Sequence, residues 1–69
     1  MRRWSSGETA AWLESQDAGG IATTLRNNAV AGEDVLAFTS AVEVADGLRL
    51  TMFAAQKLLR LRDAFLSQA

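Results

Sequence analysis

Apolar residues recur at helical spacing in five segments of the chain. Within the segments the apolar positions follow the i, i+3, i+4 pattern of an amphipathic helix, and no segment alternates apolar and polar residues as a strand does. The chain has no proline, whose rigid ring would interrupt a helix. Glycines separate the segments, at Gly7, Gly19–Gly20, Gly32 and Gly47. The pattern predicts an all-α fold of five helices.

The first predicted helix begins at Ser5 or Ser6. Ser5 and Glu8 have the spacing of a capping box, in which the hydroxyl and the carboxylate each accept a hydrogen bond from a backbone N–H at the helix start. We expect Gly19–Gly20 to end or break this helix. Its buried face is predicted to comprise Thr9, Trp12 and Leu13.

Two short helices are predicted in the middle of the chain. The second helix covers about residues 21–28, and Asn27–Asn28 suit its C-terminal end. Ile21 and Leu25 lie one turn apart on its apolar face. The third helix covers Glu33–Phe38 and has two acidic residues in its first turn, where the helix dipole favours negative charge.

Thr39 or Ser40 is predicted to cap a fourth helix that runs to about Asp46. At about 100° per residue, Val42 falls roughly 100° from the centre of the apolar arc, on the side of Asp46. We therefore expect Val42 to lie outside the apolar face. That face is predicted to comprise Ala41, Val44, Ala45 and Leu48.

Thr51 is predicted to cap the last and longest helix, at about residues 52–67. Its apolar residues fall in two neighbouring arcs, one with Ala54, Leu58, Leu61 and Phe65 and the other with Ala55, Leu59 and Leu66. The opposite face carries Gln56, Lys57, Arg60 and Asp63. Arg62 alone lies between the apolar arcs, and we expect its stem to pack on apolar neighbours while its head reaches water or an acid.

Length and composition limit the classes of function. Sixty-nine residues predict a single domain, 1–69, with a core of about residues 4–66. The chain contains neither Cys nor His, which removes the usual zinc ligand sets and imidazole acid–base catalysis. We therefore expect no enzymatic activity, no cofactor and no metal. No apolar run has the length of a membrane span or of a signal peptide, so we expect an intracellular protein, cytoplasmic or nuclear, without a membrane partner.

Charge is distributed unevenly along the chain. Residues 1–48 contain three arginines against seven acidic residues, and residues 49–69 contain four basic residues against Asp63 alone. The first part is therefore acidic and the second basic, although the whole chain has a net charge of only −1. Ordinary scatter of solvated charges is the alternative interpretation.

Five short motifs follow one another in a recognisable order. They are Trp4-Ser5 with Trp12-Leu13, then Leu25–Gly32, Val35–Thr39, Leu48-Arg49-Leu50, and finally Phe53 with Lys57-Leu58-Leu59. This order resembles that of the sterile alpha motif family, and the resemblance covers residues 4–66. It implies a small five-helix bundle with a long C-terminal helix, and a role in binding other proteins.

The sequence departs from the family pattern at several positions. Arg49 and Ala54 stand where the family usually has Gly, Ala31 stands where it often has Asp, and Thr9 replaces a usual aliphatic residue. The segment between Thr39 and Leu48 is about two residues longer than usual. Ala54 matters most, because glycine there often lets a partner approach the last helix, and alanine is small enough to allow the same approach.

The resemblance implies two surfaces through which such domains join head to tail. The end-helix surface, at the start of the last helix, is predicted to comprise Leu50, Thr51, Met52, Phe53, Gln56, Lys57 and Arg60. The mid-loop surface, on the central helices, is predicted to comprise Glu33, Asp34, Val42, Glu43 and Asp46. One surface is basic and the other acidic, so their charges are complementary. We expect the chain to bind copies of itself, as an oligomer or helical polymer, or another sterile alpha motif domain.

Alternatives exist for single contacts and for the whole function. Phe53 either belongs to the end-helix surface or caps the core, and Met52 is expected to be the more exposed of the two. Val42 either belongs to the mid-loop surface or is buried by the lengthened segment between Thr39 and Leu48. Binding of an RNA hairpin through Arg49, Lys57 and Arg60 is an alternative function, which the sequence pI of about 5.1 disfavours.

Overall fold

The computed structural model describes residues 1–68, and no strand occurs among them. Five α-helices account for most of this part of the chain: α1 (Ser6–Ser15), α2 (Gly19–Asn27), α3 (Gly32–Ala37), α4 (Ala41–Leu48) and α5 (Met52–Ser67). The predicted all-α class, the number of helices and the long last helix are confirmed. The chain divides into two compact units, Met1–Ala37 with α1 to α3 and Phe38–Ala69 with α4 and α5.

Side-chain caps fix the starts of three helices. The Ser5 hydroxyl accepts a hydrogen bond from the Glu8 N–H at 3.2 Å, and a Glu8 carboxylate oxygen accepts one from the Ser5 N–H at 3.0 Å. The predicted capping box is therefore confirmed. Ser40 caps α4 through the Glu43 N–H, and Thr51 caps α5 through the Ala54 N–H. Each cap satisfies a backbone donor that has no partner within its own helix.

The first unit has a core built mainly from α1 and α2, which pack against each other. Its fully buried side chains include Leu13 of α1, Leu25 of α2 and Val35 of α3. Thr9 is also fully buried, and its hydroxyl donates to the Ser5 carbonyl at 2.9 Å, so burial leaves no unpaired polar group there. Trp12, predicted to share the buried face with Thr9 and Leu13, is half-buried.

Several predicted helix boundaries were wrong by one or two residues, and the role of Gly19–Gly20 was wrong. These glycines begin α2, whereas α1 ends earlier, at Ser15. The chain already turns at Asp17, whose backbone has a positive φ of 59°. Further on, α3 ends at Ala37 rather than at Phe38, and α4 continues to Leu48 rather than stopping at Asp46.

Within residues 1–68, three residues other than glycine have left-handed backbone conformations, each just after a helix: Asp17 (φ 59°), Ala29 (φ 52°) and Arg49 (φ 56°). For an L-residue with a Cβ atom this conformation costs about 1–2 kcal/mol. Glycine avoids this cost and is therefore the usual residue where a helix ends in this way. None of the glycines among residues 1–68 has a positive φ.

The N-terminal segment lies close to Gly32. The Trp4 N–H donates to the Met1 carbonyl, and the Gly32 N–H donates to the Trp4 carbonyl, both at 3.0 Å. The rings of Trp4 and Trp12 lie 5.8 Å apart in a tilted arrangement. A Cβ atom on Gly32 would overlap the backbone carbonyl of Met1 and lie 3.1 Å from the Trp4 Cβ. Glycine is therefore required at this close approach.

In the second unit α4 packs against α5. The buried residues of this pair are Val44, Ala55 and Leu58. Arg62 has a side chain that is only 14 % exposed, and its guanidinium donates to the Phe38 carbonyl at 2.6 Å and pairs with Asp63 at 2.9 Å. The structural role predicted for Arg62, with a packed stem and a head that reaches an acid, is confirmed.

Substitution of two glycines by alanine should have opposite effects on stability. Gly32→Ala should lower the free energy of unfolding by about 2 kcal/mol, because the new methyl group overlaps backbone that cannot easily move. Gly47→Ala should raise it by about 0.5–1 kcal/mol, because this position lies within α4 with open space around it. Urea unfolding followed by circular dichroism measures both. A loss of stability in both variants would contradict this account of Gly47.

Candidate interaction surfaces

Phe53 is the most exposed large apolar residue of the end-helix surface, with 73 % of its surface accessible. The alternative prediction that Phe53 caps the core is therefore wrong. Helix geometry gives the reason: Gln56, Lys57 and Arg60 stand at i+3, i+4 and i+7 from Phe53 and share one face of α5 with it. The same spacing, read from the sequence, would have placed Phe53 on the polar face.

The residues next to Phe53 extend the apolar part of the end-helix surface. Met52 is 43 % exposed, so the prediction that it would be more exposed than Phe53 was wrong. Leu50, just before the helix, is half-buried. Thr51 is exposed, but its hydroxyl accepts a hydrogen bond from the Ala54 N–H at 3.1 Å and so caps α5. Met52 and Phe53 are thus the large exposed apolar groups at this helix start.

Two basic side chains accompany Phe53 along α5. Lys57 is half-buried and already makes an interaction within the protein. Arg60 is exposed, and its side chain forms no hydrogen bond or ion pair within residues 1–68. Arg60 is therefore the cation of the two that is available to an external partner without breaking an existing contact.

The mid-loop residues belong to two different units. Glu33 and Asp34 lie in the first turn of α3, in the first unit, and both are exposed. An Asp34 carboxylate oxygen accepts a hydrogen bond from the Ala31 N–H at 3.0 Å. The Glu33 side chain makes no hydrogen bond or ion pair within the described residues. Of the two, Glu33 has the more available carboxylate.

The other mid-loop residues lie on α4, in the second unit. Val42 is 65 % exposed, so the alternative prediction that the surrounding segment buries it is wrong. Asp46 stands one turn after Val42 on the same helix face, is exposed, and has no side-chain partner within residues 1–68. Glu43 is exposed as well, but its carboxylate already accepts a hydrogen bond from the Thr39 hydroxyl at 3.0 Å.

Exposed large apolar residues coincide mostly with the predicted surfaces. Four such residues occur in the part of the chain that the structure describes: Val42, Met52, Phe53 and Leu66. Only Leu66 falls outside the predicted sets. The sequence predicts Leu66 in an apolar arc of α5, but Leu66 is 46 % exposed, in the last turn before the helix ends at Ser67.

Two further observations concern chemistry and membranes. In a chain without His and Cys, the candidate metal ligands are the acidic side chains. Within residues 1–68, no three of them are grouped so that they could hold a metal ion. None of the helices described combines the length and apolar character that crossing a membrane requires.

Comparison of the chain with protein-family models, with curated proteins and with solved structures finds no match. The resemblance to sterile alpha motif domains therefore depends on the order of motifs in the sequence. The structure shows the coarser property, a small all-α fold of five helices.

The exposure of Phe53 predicts that its substitution leaves the fold intact. Phe53→Ala should change the free energy of unfolding by less than about 0.5 kcal/mol, because an exposed side chain away from the core contributes little to stability. Leu58→Ala, on the same helix but fully buried, should cost about 3 kcal/mol through the cavity it leaves. Thermal and urea unfolding compare the two. A loss above about 2 kcal/mol in Phe53→Ala would place its ring in the core.

Proposed function

We propose that this chain is a non-catalytic protein–protein interaction module of the sterile alpha motif type, which joins copies of itself head to tail. The end-helix surface of one copy binds the mid-loop surface of the next. The observation that carries the proposal is the 73 % exposure of Phe53 on a face of α5 that otherwise bears Gln56, Lys57 and Arg60. An exposed aromatic ring surrounded by polar side chains is typical of a binding surface, because aromatic residues are enriched at the centre of such surfaces and polar residues form the rim.

The free energy for association comes mainly from apolar burial. Complete removal of a Phe side chain from water contributes about 1.5–3 kcal/mol, and Met52 beside it adds to this. Val42 on α4 offers an exposed apolar group of the second surface for Phe53 to contact. Aromatic residues also lose little conformational freedom when they bind, because they have few rotatable bonds.

Charge complementarity supports the choice of partner. Arg60 of the end-helix surface and the carboxylates of Glu33 and Asp46 all lack side-chain partners within residues 1–68. Opposite charges on the two surfaces increase the rate of encounter and disfavour contact between two like surfaces. Because the two surfaces differ, each copy can bind one neighbour on either side, and such heterologous contacts build rings or open helical filaments.

Two variants, each blocked on one surface, test the head-to-tail contact. Val42→Glu puts a charge into the mid-loop surface and leaves the end-helix surface open, and Phe53→Glu does the reverse. Both positions are exposed, so both variants should fold. Each variant alone should be monomeric, and an equimolar mixture should form a 1:1 heterodimer, because one open surface of each kind remains. Sedimentation velocity and titration calorimetry measure the three samples.

Leu66→Gln serves as the matched control, because it also removes an exposed apolar group of α5 but lies outside both surfaces. This variant should associate as the unmodified chain does. A mixture of Val42→Glu and Phe53→Glu that stays monomeric would contradict the head-to-tail contact. An unmodified chain that is monomeric alone but binds another sterile alpha motif domain would support hetero-association instead. Salt-sensitive binding of an RNA hairpin, without self-association, would favour the nucleic-acid alternative.

A further inference from the structure

Arg49 occupies a backbone conformation that glycine adopts more easily. It follows α4 directly, with φ 56° and ψ 39°, in the left-handed region. Its side chain is exposed and forms no hydrogen bond or ion pair within residues 1–68. The guanidinium therefore contributes no hydrogen bond or ion pair to the stability of this part of the chain. Glycine at this position would relieve the strain of the backbone conformation.

The backbone around Arg49 is held in place by the end of α4. The N–H groups of Arg49 and of Leu50 both donate to the Ala45 carbonyl, the second at 3.0 Å. This arrangement closes the helix and fixes the direction in which the chain continues towards α5. The Arg49 side chain therefore starts from a rigid point, three residues before Met52 and four before Phe53.

The other left-handed positions provide a contrast. Asp17 belongs to a residue type that tolerates this conformation better than most, and Ala29 has the smallest side chain that carries a Cβ atom. Arg49 is instead a long cation that precedes Met52 and Phe53, the two exposed apolar residues of the end-helix surface, by three and four positions in the chain. Strained residues held by well-ordered surroundings are concentrated at functional sites.

We propose that Arg49 is a specificity-determining residue of the end-helix surface, whose guanidinium pairs with a carboxylate of the mid-loop surface of a second copy. The inference rests on the proposed head-to-tail function and adds a residue that the predicted surfaces did not include. Glu33 and Asp46 are the candidate partners, because both are exposed and have no side-chain partner within the described part of the chain. Arginine suits this role because its planar guanidinium can bind a carboxylate through two parallel hydrogen bonds.

The test uses the two blocked variants, so that only one kind of contact is measured. In the Val42→Glu chain, which retains the open end-helix surface, Arg49→Gly should weaken binding to the Phe53→Glu chain about ten-fold, as expected for the loss of one charge-assisted pair. The same substitution should leave the melting temperature unchanged or raise it. Arg49→Lys keeps the positive charge but lacks the planar guanidinium, and it should retain part of the affinity.

Ala29→Gly is the matched control, because it relieves the same backbone conformation in the first unit. It should leave the affinity unchanged. Charge reversal then identifies the partner: Arg49→Glu should weaken binding further, and Glu33→Arg or Asp46→Arg in the Phe53→Glu chain should restore it. Recovery of binding when either Glu33 or Asp46 is replaced by arginine would support the proposal.

Several outcomes would contradict the inference. Unchanged affinity of Arg49→Gly, in a pair of blocked chains that do bind, would overturn the role of Arg49 and leave the proposed function in place. Failure of both reversals to restore binding would exclude pairing with these carboxylates and would also overturn it. A pair of blocked chains that never binds would contradict the head-to-tail function itself, and the role of Arg49 with it.

Discussion

The burial of Ala55 and Leu58 fixes the orientation of α5, and the proposed function depends on that orientation. Both residues lie roughly 140–160° around the helix from Phe53, so a helix that buries them must expose Phe53. The hydroxyl cap at Thr51 sets where α5 begins and therefore which residues form its first turn. Core packing and capping thus determine together which groups α5 exposes.

The parts of the fold that local interactions determine could be predicted from the sequence. The capping box at Ser5 and the cap at Thr51 involve residues at most three positions apart, so their spacing is visible in the chain itself. The start of α2 could not be predicted in this way, because glycine usually marks the end of a helix rather than its start. In this protein Asp17, Ala29 and Arg49 take the left-handed conformations that glycine usually takes.

Part of the candidate site could also be predicted from local spacing in the sequence. Periodicity placed Val42 outside the apolar face of α4, and the structure shows it exposed. The same periodicity would also have placed Phe53 on the polar face of α5, because Lys57 and Arg60 follow it at i+4 and i+7. Whether a charged group such as Lys57 already has a partner within the protein could not be predicted from this periodicity. The strained backbone of Arg49 likewise becomes visible only when its dihedral angles are known.

The most direct test of the central claim is sedimentation velocity of the unmodified chain over a wide concentration series. Two unlike surfaces on each copy predict an average sedimentation coefficient that rises with concentration and passes beyond the value of a dimer. Addition of salt should lower it, because the complementary charges are then screened. A chain that remains monomeric at every concentration, or stops at a closed dimer, would contradict head-to-tail association through Phe53.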